Sequence, residues 1–207
     1  MIGLIFATRM EAQPFLQLSK AELAVEKPFQ IYQCASLPAL RIMISRMGKV
    51  AAAMSTLSLI IEHRVGQIIN AGACGVLRDL SELPVGQIVA ITSAVEGDHQ
   101  VFGRRPEPAI CSTTLWPELP KARLVTCDRP VFDLRRRSAC AKLGEVVDME
   151  GAAIARAAGL YQVPCEMLKG ITDSAQAAER KTLIANLNTV SERLALLLWQ
   201  MLNGNKG

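Results

Sequence analysis

The sequence predicts an α/β fold, a single domain with a central mixed, largely parallel twisted sheet flanked by helices. Half of the 207 residues are hydrophobic, so the chain can bury a large core. Only 4% are aromatic, which leaves Leu, Ile, Val, Ala and Met to fill that core. Short apolar runs are followed by helical patterns along the chain. These features are typical of a parallel sheet covered by helices and less so of an all-β sandwich.

The length of the chain predicts one domain that spans residues 1–207. No linker, repeat or low-complexity segment interrupts it. We find no basic leader and no apolar run of membrane-spanning length, so we expect a cytoplasmic protein with no membrane partner. The six cysteines are scattered without a CxxC pair, which favours reduced core residues. With only two histidines in the chain, no metal site is expected.

The net charge of +4 is mild and gives no support for a nucleic-acid partner. Basic residues are densest between residues 104 and 137, but almost no aromatic side chains lie among them to stack on bases. Short charge runs usually belong to a solvated surface, and we interpret Arg135, Arg136 and Arg137 in this way. A phosphate or anion site in this region is the alternative.

The first half of the chain predicts two strand-to-helix units and a hairpin. The predicted elements are a strand at residues 2–7, a helix at 12–18, a hairpin at 29–45, a helix at 50–62 and a strand at 67–70. Small residues follow at 71–75 and would let the backbone approach a ligand closely. They form no GxGxxG fingerprint and no Walker lysine follows, so dinucleotide or nucleoside triphosphate binding is not indicated.

The second half predicts further strands and helices around one long loop. We expect strands at residues 87–92, 122–127 and 165–172, a short helix at 135–142 and an amphipathic helix over about the last 25 residues. Residues 94–120 are polar and rich in proline, which predicts a loop over the surface. Loops of this length in compact domains tend to be functional.

Residues 146–155 indicate a buried strand that ends in a tight connection to a helix. Such a connection places side chains at the carboxyl edge of a sheet. Asp148 and Glu150 share a face while the chain is extended, whereas Met149 points the other way. Carboxylates beside an apolar side chain are common in binding sites. The alternative is that Asp148 or Glu150 only caps the helix that begins at Gly151.

Three acids, Glu11, Glu150 and Asp173, each follow a predicted strand. If the strands run parallel, their carboxyl ends lie at one edge of the sheet, and the three carboxylates meet there. For Glu11 the alternative is an acid in the first turn of a helix that only interacts with the helix dipole. The three acids are therefore the candidate functional residues.

Five segments occur in the same order as in a known group of enzymes. They are residues 45–53 (SRMGKVAAA), 69–75 (INAGACG), 83–89 (LPVGQIV), the Met149–Glu150 pair and 172–175 (TDSA). With these segments the chain resembles the purine nucleoside phosphorylase / nucleosidase superfamily over nearly its whole length. It is most similar to the 5′-methylthioadenosine/S-adenosylhomocysteine nucleosidases and related nucleoside hydrolases such as futalosine hydrolase. The resemblance implies a nucleoside phosphorylase-like fold.

The resemblance implies catalytic roles for Glu11 and Asp173. Glu11 would activate the attacking water, and Asp173 would protonate the purine leaving group at N7. Met149 would pack under the ribose, and Glu150 would accept hydrogen bonds from two sugar hydroxyls. An N-ribosidic bond breaks through an oxocarbenium-like sugar, so flanking carboxylates suit the reaction. Asp173 can serve as the acid if burial keeps it protonated.

The resemblance also implies a set of substrate-binding residues. The strand end at Val131 would face the base, Phe132 would supply an aromatic contact, and Ala73 stands where a serine is usual. Arg46 and Met47 would flank the 5′ end of the nucleoside. Methionine accommodates irregular apolar groups, which favours a bulky or thioether 5′ substituent. Arg46 could instead pair with a carboxylate on that substituent.

The resulting prediction is hydrolysis of the N-glycosidic bond of a purine nucleoside, and there are two alternatives to it. A carboxylate at Glu11 would repel phosphate, which disfavours phosphorolysis. Arg9 and Arg46 lie near enough in the pattern to keep a phosphorylase as the alternative. A nucleoside-binding protein without turnover is a further alternative, although it predicts a damaged acid set. The resemblance implies a small-molecule nucleoside as the partner, no cofactor and a homodimer.

Overall fold

The computed structural model describes residues 1–100, 102–105, 107–174 and 180–204, except for the side chains of residues 180 and 181. These ranges contain ten strands and five helices. The strands are β1 (Ile2–Phe6), β2 (Glu22–Val25), β3 (Gln30–Gln33), β4 (Leu40–Ile44), β5 (Gln67–Val76), β6 (Ile88–Glu96), β7 (Ala109–Ile110), β8 (Lys121–Thr126), β9 (Val146–Asp148) and β10 (Cys165–Asp173). The helices are α1 (Arg9–Ser19), α2 (Lys49–Ile61), α3 (Leu134–Cys140), α4 (Gly151–Leu160) and α5 (Arg180–Gly204).

Strand β5 lies at the centre of the sheet and pairs with β1, β9 and β10. On one side β1, β4, β3 and β2 follow in that order and end at an open edge. On the other side β10, β6, β8 and β9 follow, and β9 returns to pair with the last residues of β5. The strands β5, β10, β6, β8 and β9 therefore close into a ring, from which the rest of the sheet extends.

The longest pairings in the sheet are parallel. Strand β1 pairs in parallel with β4 and β5, β5 with β10, and β8 with β6 and β9. Antiparallel pairings join β2 to β3, β3 to β4, β5 to β9, and β6 to β7 and β10. The prediction of a mixed, largely parallel sheet flanked by helices is confirmed. Because β1, β5 and β10 run in the same direction, they end at the same edge.

Helices cover both faces of the sheet. On one face α1 packs against α5, and on the other α2 packs against α4. Leu194 and Leu198 of α5 are fully buried, while Leu197 and Met201 are partly buried, as the predicted apolar face of this helix requires. All six cysteines are buried and free, in agreement with their interpretation as small core residues. No helix in the described ranges is both long and apolar enough to cross a bilayer.

The glycine-rich residues 71–75 belong to β5 and not to a turn after it, so the predicted end of this strand at residue 70 is wrong. Small residues are needed here because carboxylates crowd the strand. A Cβ on Gly72 would lie 2.7 Å from Glu11 Oε1, and a Cβ on Gly75 would lie 2.8 Å from Asp173 Oδ2. Glycine thus keeps the backbone paired while other elements place acids beside it.

Other differences concern the edges of the sheet. The sequence analysis missed β2, a strand with mostly exposed residues that pairs only with β3 in the described ranges. The predicted loop at residues 94–120 contains β7, and β6 extends into it as far as Glu96. Pairing with β8 along most of its length holds β6 extended beyond its apolar start. Tertiary pairing thus overrides local composition at these positions.

Candidate active site

A cavity of about 200 Å³ opens at the edge where β1 and β10 end. Residues of β5 and the segments after β8 and β9 complete its lining. Eight of the nine residues that the sequence singled out line it: Glu11, Met47, Ala73, Val131, Phe132, Met149, Glu150 and Asp173. The ninth, Arg46, lines an adjoining cavity that shares Met47 with this one. Residue 175, the last of the segment at residues 172–175, lies outside the described residues.

Glu11 reaches the cavity from the first turn of α1, directly after β1. Its Oε2 accepts hydrogen bonds from the backbone N–H and the hydroxyl of Thr8, at 2.9 and 2.8 Å. Its Oε1 accepts a 2.9 Å hydrogen bond from the Ala73 N–H of β5. One oxygen therefore completes a capping box, while the other extends across to the sheet. Glu11 therefore both caps the first turn of α1 and lines the cavity.

Glu150 lines the cavity although β9 runs antiparallel to β5. The expectation that all three acids follow parallel strands is therefore wrong for Glu150. Strand β9 begins beside Val76, the last residue of β5, and runs back along it, which brings Glu150 to the same edge. Its Oε1 accepts a 2.7 Å hydrogen bond from the Gly48 N–H. Burial and the neighbouring Asp148 carboxylate raise the pKa of Glu150 to about 7.

Asp148, and not Glu150, caps helix α4. Its Oδ2 accepts a 2.9 Å hydrogen bond from the Gly151 N–H, and its Oδ1 accepts one of 2.6 Å from the Thr126 hydroxyl. The Thr126 oxygen in turn accepts from the Ala152 N–H at 2.8 Å. Glu150 makes no side-chain hydrogen bond to the helix. The capping alternative is therefore correct for Asp148, which leaves the Glu150 carboxylate to the cavity.

Lys169 is a buried cation behind the cavity that the sequence analysis missed. It is 2% exposed, and its Nζ lies 2.8 Å from Asp148 Oδ2. Burial alone would lower the pKa of Lys169, but the carboxylates of Asp148, Glu150 and Glu11 outweigh burial and raise it. A lysine inside a strand as apolar as β10 was the available signal, because lysine is rarely buried without a charged partner.

Asp173 is the last residue of β10 and is 8% exposed. Its Oδ2 forms a 2.6 Å salt bridge with Arg137 Nη2, and its Oδ1 accepts a 3.2 Å hydrogen bond from the Thr172 hydroxyl. A cation at this distance stabilises an ionised carboxylate. Burial was expected to keep Asp173 protonated, whereas the structure places the Arg137 guanidinium beside its carboxyl group.

Arg137 lies on α3 and is 3% exposed, so its interpretation as part of a solvated basic run is wrong. Its neighbour Arg135 is exposed, as expected for that run. Besides Asp173, Arg137 donates to three backbone carbonyls, those of Val76, Val131 and Ser174. Helical spacing was the available signal, because Arg137 lies one turn before the buried Cys140 on the same face of α3.

Residues 128–140, here called the base-side segment, contribute Pro130, Val131 and Phe132 to the cavity lining. Val131 is buried, and Phe132 is 57% exposed. Met47 on the other side of the lining is 66% exposed, so both large apolar side chains lie at the rim. Met149 is half-buried. The rim is therefore apolar, while the acids lie deeper.

Carboxylates dominate the polar lining of the cavity. Among the described residues, its lining contains the carboxylates of Glu11, Asp148, Glu150 and Asp173 and no arginine or lysine. Arg9 is exposed, and its Nε donates to Gln13. Within the described ranges no group of three or more His, Cys, Asp or Glu side chains could hold a metal ion. The arrangement suits hydroxyl groups, water and a base that accepts a proton.

Solved structures match the chain over nearly its whole length, whereas a comparison with curated protein sequences gives no match. A mutant of Helicobacter pylori futalosine hydrolase has a TM-score of 0.86 at 22% identity, covering 98% of each chain. A complex of H. pylori 5′-methylthioadenosine/S-adenosyl homocysteine nucleosidase has a TM-score of 0.88 at 22% identity, covering 98% of this chain and 97% of that one. The corresponding Campylobacter jejuni nucleosidase has a TM-score of 0.85 at 18% identity, covering 98% of each.

These likenesses confirm the predicted nucleoside phosphorylase-like fold. A sequence model described as the phosphorylase superfamily matches residues 1–203, which is nearly the whole chain. The resemblance that the five segments carry is thus confirmed by two independent comparisons, one of sequence and one of structure. The chain belongs to the phosphorylase superfamily.

Proposed function

We propose that this protein hydrolyses the N-glycosidic bond of a purine nucleoside and releases the free base and the sugar. The main support is that Glu11, Glu150 and Asp173 come from three separate parts of the chain and line one cavity, whose described lining contains no basic residue. The solved structures that the chain resembles include nucleosidases and a futalosine hydrolase. Oxocarbenium-like chemistry between carboxylates is the reaction that this arrangement suits.

Glu11 is the proposed base that activates water. Its Oε1 accepts a 2.9 Å hydrogen bond from the Ala73 N–H, and the carboxylate lines the cavity. A water in the cavity would donate to this carboxylate. The raised pKa of Lys169 keeps a cation close to the Glu11 carboxylate. The water oxygen then bonds to C1′ of the sugar, and Glu11 takes the proton.

Glu150 and Met149 are the proposed ribose-binding pair. Glu150 accepts hydrogen bonds from two sugar hydroxyls, and Met149 gives the sugar an apolar contact. With a pKa of about 7, Glu150 is only partly ionised near neutral pH in the free protein. Positive charge that develops on the sugar favours its ionised form, so the interaction becomes stronger in the transition state.

Asp173 is the proposed acid. As the C1′–N9 bond breaks, its electron pair leaves with the base, and Asp173 transfers a proton to N7 so that the base departs neutral. Water supplies the hydroxyl group that remains on the sugar, and its proton is held by Glu11. A pyrimidine has no N7 to receive the proton, which favours a purine substrate.

Phosphorolysis is less compatible with this cavity than hydrolysis. A phosphate nucleophile needs cations to bind it. Here it would meet four lining carboxylates, and the cations behind them, Lys169 and Arg137, are already paired with Asp148 and Asp173. Arg9 and Arg46, which kept the phosphorylase alternative open, do not line the cavity.

Release of free base in phosphate-free buffer tests the proposal. We expect turnover of purine nucleosides to the base and the free sugar at a rate that added phosphate does not change. Turnover that requires phosphate and yields ribose 1-phosphate would show a phosphorylase. Binding of nucleosides without any turnover would show a non-catalytic nucleoside-binding protein. Either result overturns the proposal.

The proposed substrate carries an apolar 5′ substituent. Met47 lines both the site and an adjoining cavity of about 440 Å³, whose lining includes Phe29, Val50 and Met54. A thioether would contact these apolar side chains, and a carboxylate on a longer tail would pair with Arg46. The test compares kcat/KM for adenosine, 5′-methylthioadenosine, S-adenosylhomocysteine and futalosine. Equal values would contradict the tail pocket, and an unchanged ranking in Arg46→Ala would remove the role of Arg46.

We also propose a cytoplasmic homodimer. Large apolar side chains are exposed around the cavity rim: Met47, Val50, Met54, Phe132 and Leu134. A second copy that covers them would shield the cavity from water and complete its rim. Light scattering should give about twice the chain mass of 22.5 kDa at micromolar concentration. A mass near that of one chain would contradict the dimer.

A further inference from the structure

Arg137 joins the proposed acid to the segment that faces the base. Its Nη2 lies 2.6 Å from Asp173 Oδ2, and its Nε donates to the Val131 carbonyl at 2.9 Å. Its Nη1 donates to the carbonyls of Ser174, at 2.6 Å, and Val76, at 2.9 Å. One guanidinium therefore connects the ends of β5 and β10 to the base-side segment, which its rigid planar fork suits.

The ion pair between Arg137 and Asp173 is buried. The two side chains are 4% and 10% exposed, so water screens their interaction weakly. Thr172 and the buried Cys74 thiol also face Asp173, and the other charged groups of the lining are the carboxylates of Glu11, Asp148 and Glu150. Of these charged groups, Arg137 is the one whose ion pair with Asp173 the structure shows.

We propose that Arg137 is a positioning residue that holds Asp173 ionised in the free protein, so that binding of a purine nucleoside is coupled to the uptake of one proton. The reason lies in the hydrogen-bonding groups. An ionised carboxylate and N7 of a purine both accept hydrogen bonds and donate none. They can form a hydrogen bond only when a proton from solvent joins the site.

Arg137 then assists the proton transfer from the other side. When Asp173 passes its proton to N7, a carboxylate forms again, and the guanidinium 2.6 Å away stabilises it. The ion pair thus disfavours protonated Asp173 in the free protein and favours transfer of its proton to N7 in the complex. Proton delivery to the base rests on the proposed hydrolysis, whereas the ionised state of Asp173 does not.

Carbon-13 NMR spectroscopy of protein labelled at its aspartate carboxyl groups tests the ion pair without any substrate. The signal of Asp173 is identified by its loss in the Asp173→Asn variant. We expect Arg137→Met to move the titration midpoint of this signal upwards by about one pH unit or more, the usual effect of an adjacent cation. Arg137→Lys keeps the charge and should restore most of the wild-type midpoint. If Arg137→Met does not fold, Arg137→Gln, which is uncharged but can hydrogen bond, takes its place. Arg135→Met, on the exposed side of α3, is the control and should leave the midpoint unchanged.

Calorimetry in two buffers of different ionisation enthalpy measures the proton uptake. The ligand is 5′-methylthioadenosine, added to the Glu11→Gln variant so that turnover is slow. At pH values below the one at which 5′-methylthioadenosine binds most tightly, we expect about one proton to be taken up per bound nucleoside. We expect none with 7-deazaadenosine, which carries C–H in place of N7. Arg137→Met in the same background should take up less, because its Asp173 already holds a proton.

Two results would overturn the inference. One is the same Asp173 midpoint in the wild type and in the uncharged Arg137 variants. The other is binding of 5′-methylthioadenosine without proton uptake. If no nucleoside binds at all, the proposed function fails, but the titration of Asp173 in the free protein still decides whether Arg137 holds it ionised.

Discussion

The two sides of the cavity are built differently. The sugar side, with Glu11 and Glu150, is held by the backbone N–H groups of Ala73 in β5 and of Gly48 just before α2, and by the Lys169–Asp148 pair behind them. Both members of that pair belong to strands of the central ring. The base side depends on Asp173 and on one arginine from a seven-residue helix.

This difference indicates which part of the site can vary. The sugar side is fixed by strand pairing, so it suits the part of the reaction that all nucleosides share. The base side is fixed mainly by side-chain hydrogen bonds to a loop and a short helix, and its Phe132 is largely exposed. Loops positioned by a rigid scaffold are where specificity changes most readily. We therefore expect base specificity to depend on residues 128–140.

Lys169→Met should have the largest effect, because it removes the buried cation of the sugar side. Asp148 would be left charged without its partner, which typically costs about 3–5 kcal/mol. Urea unfolding followed by circular dichroism measures the loss. The matched control is Lys169→Met with Asp148→Asn, which removes both charges and should recover much of the stability. A loss below about 1 kcal/mol in the single variant would contradict the importance of the pair.

Glu11→Gln and Asp173→Asn compare the two sides in catalysis. Each removes one proton-transfer group and should lower kcat by about 100-fold or more. Glu150→Gln should impair both binding and turnover, because it contacts the ribose in both states. Steady-state kinetics on the best nucleoside measures these changes, and Glu62→Gln, on the exposed end of α2, is the control. Near-wild-type turnover by Asp173→Asn would remove that residue from the mechanism.

Glu150→Gln should also change how stability depends on pH. The folded-state pKa of about 7 lies above the ordinary value of 4.5, so the folded protein loses stability as pH rises from below 4.5 through 7. The variant avoids this loss, and its Tm should exceed that of the wild type by several degrees at pH 8 and by little at pH 4.5. Glu145→Gln is the opposite control, because hydrogen bonds from Arg123 outweigh burial and lower the pKa of Glu145. A Tm difference that does not grow with pH would contradict the raised pKa.

Phe132→Ala should have the smallest effect and should act on the base side alone. Loss of an aromatic contact to the base is worth about 1 kcal/mol, which corresponds to a KM increase of about 3- to 10-fold. We expect kcat and Tm to stay nearly unchanged, since the side chain is 57% exposed. Phe102→Ala, at a fully exposed position outside the cavity lining, is the control. An equal effect of the two substitutions on KM would contradict a base contact by Phe132.

Local pattern was sufficient for most of the fold. The apolar runs that became β1, β8, β9 and β10 could be recognised because buried strands need them, and the hairpin of β3 and β4 occurs where it was predicted. The full length of β5 could not be recognised, because its glycines are dictated by Glu11 and Asp173, which lie far away in sequence. The direction of each strand could not be predicted from the local sequence either. No local feature shows that β9 pairs antiparallel with β5.

The positions of the three acids in the site could be predicted because each follows a strand. Their roles remain predictions, but their convergence on one cavity is a structural observation. The groups that control their charge were missed for a physical reason. Lys169 and Arg137 act through ion pairs with residues distant in sequence, and these pairs form only when the ring of strands closes. Arg46 was placed one cavity away from its expected position.

The three partners of β5 also bear on how the molecule opens. An amide hydrogen of β5 can exchange with solvent only after its hydrogen bonds to neighbouring strands break, and those strands belong both to the ring and to the open sheet. Exchange there should therefore require nearly global unfolding. Amides of α3 can exchange through a local opening, because the helix is short and lies outside the sheet. If the proposed function is correct, we expect local opening of α3 to loosen the Asp173 side of the cavity while β5, whose Ala73 N–H holds Glu11, stays paired.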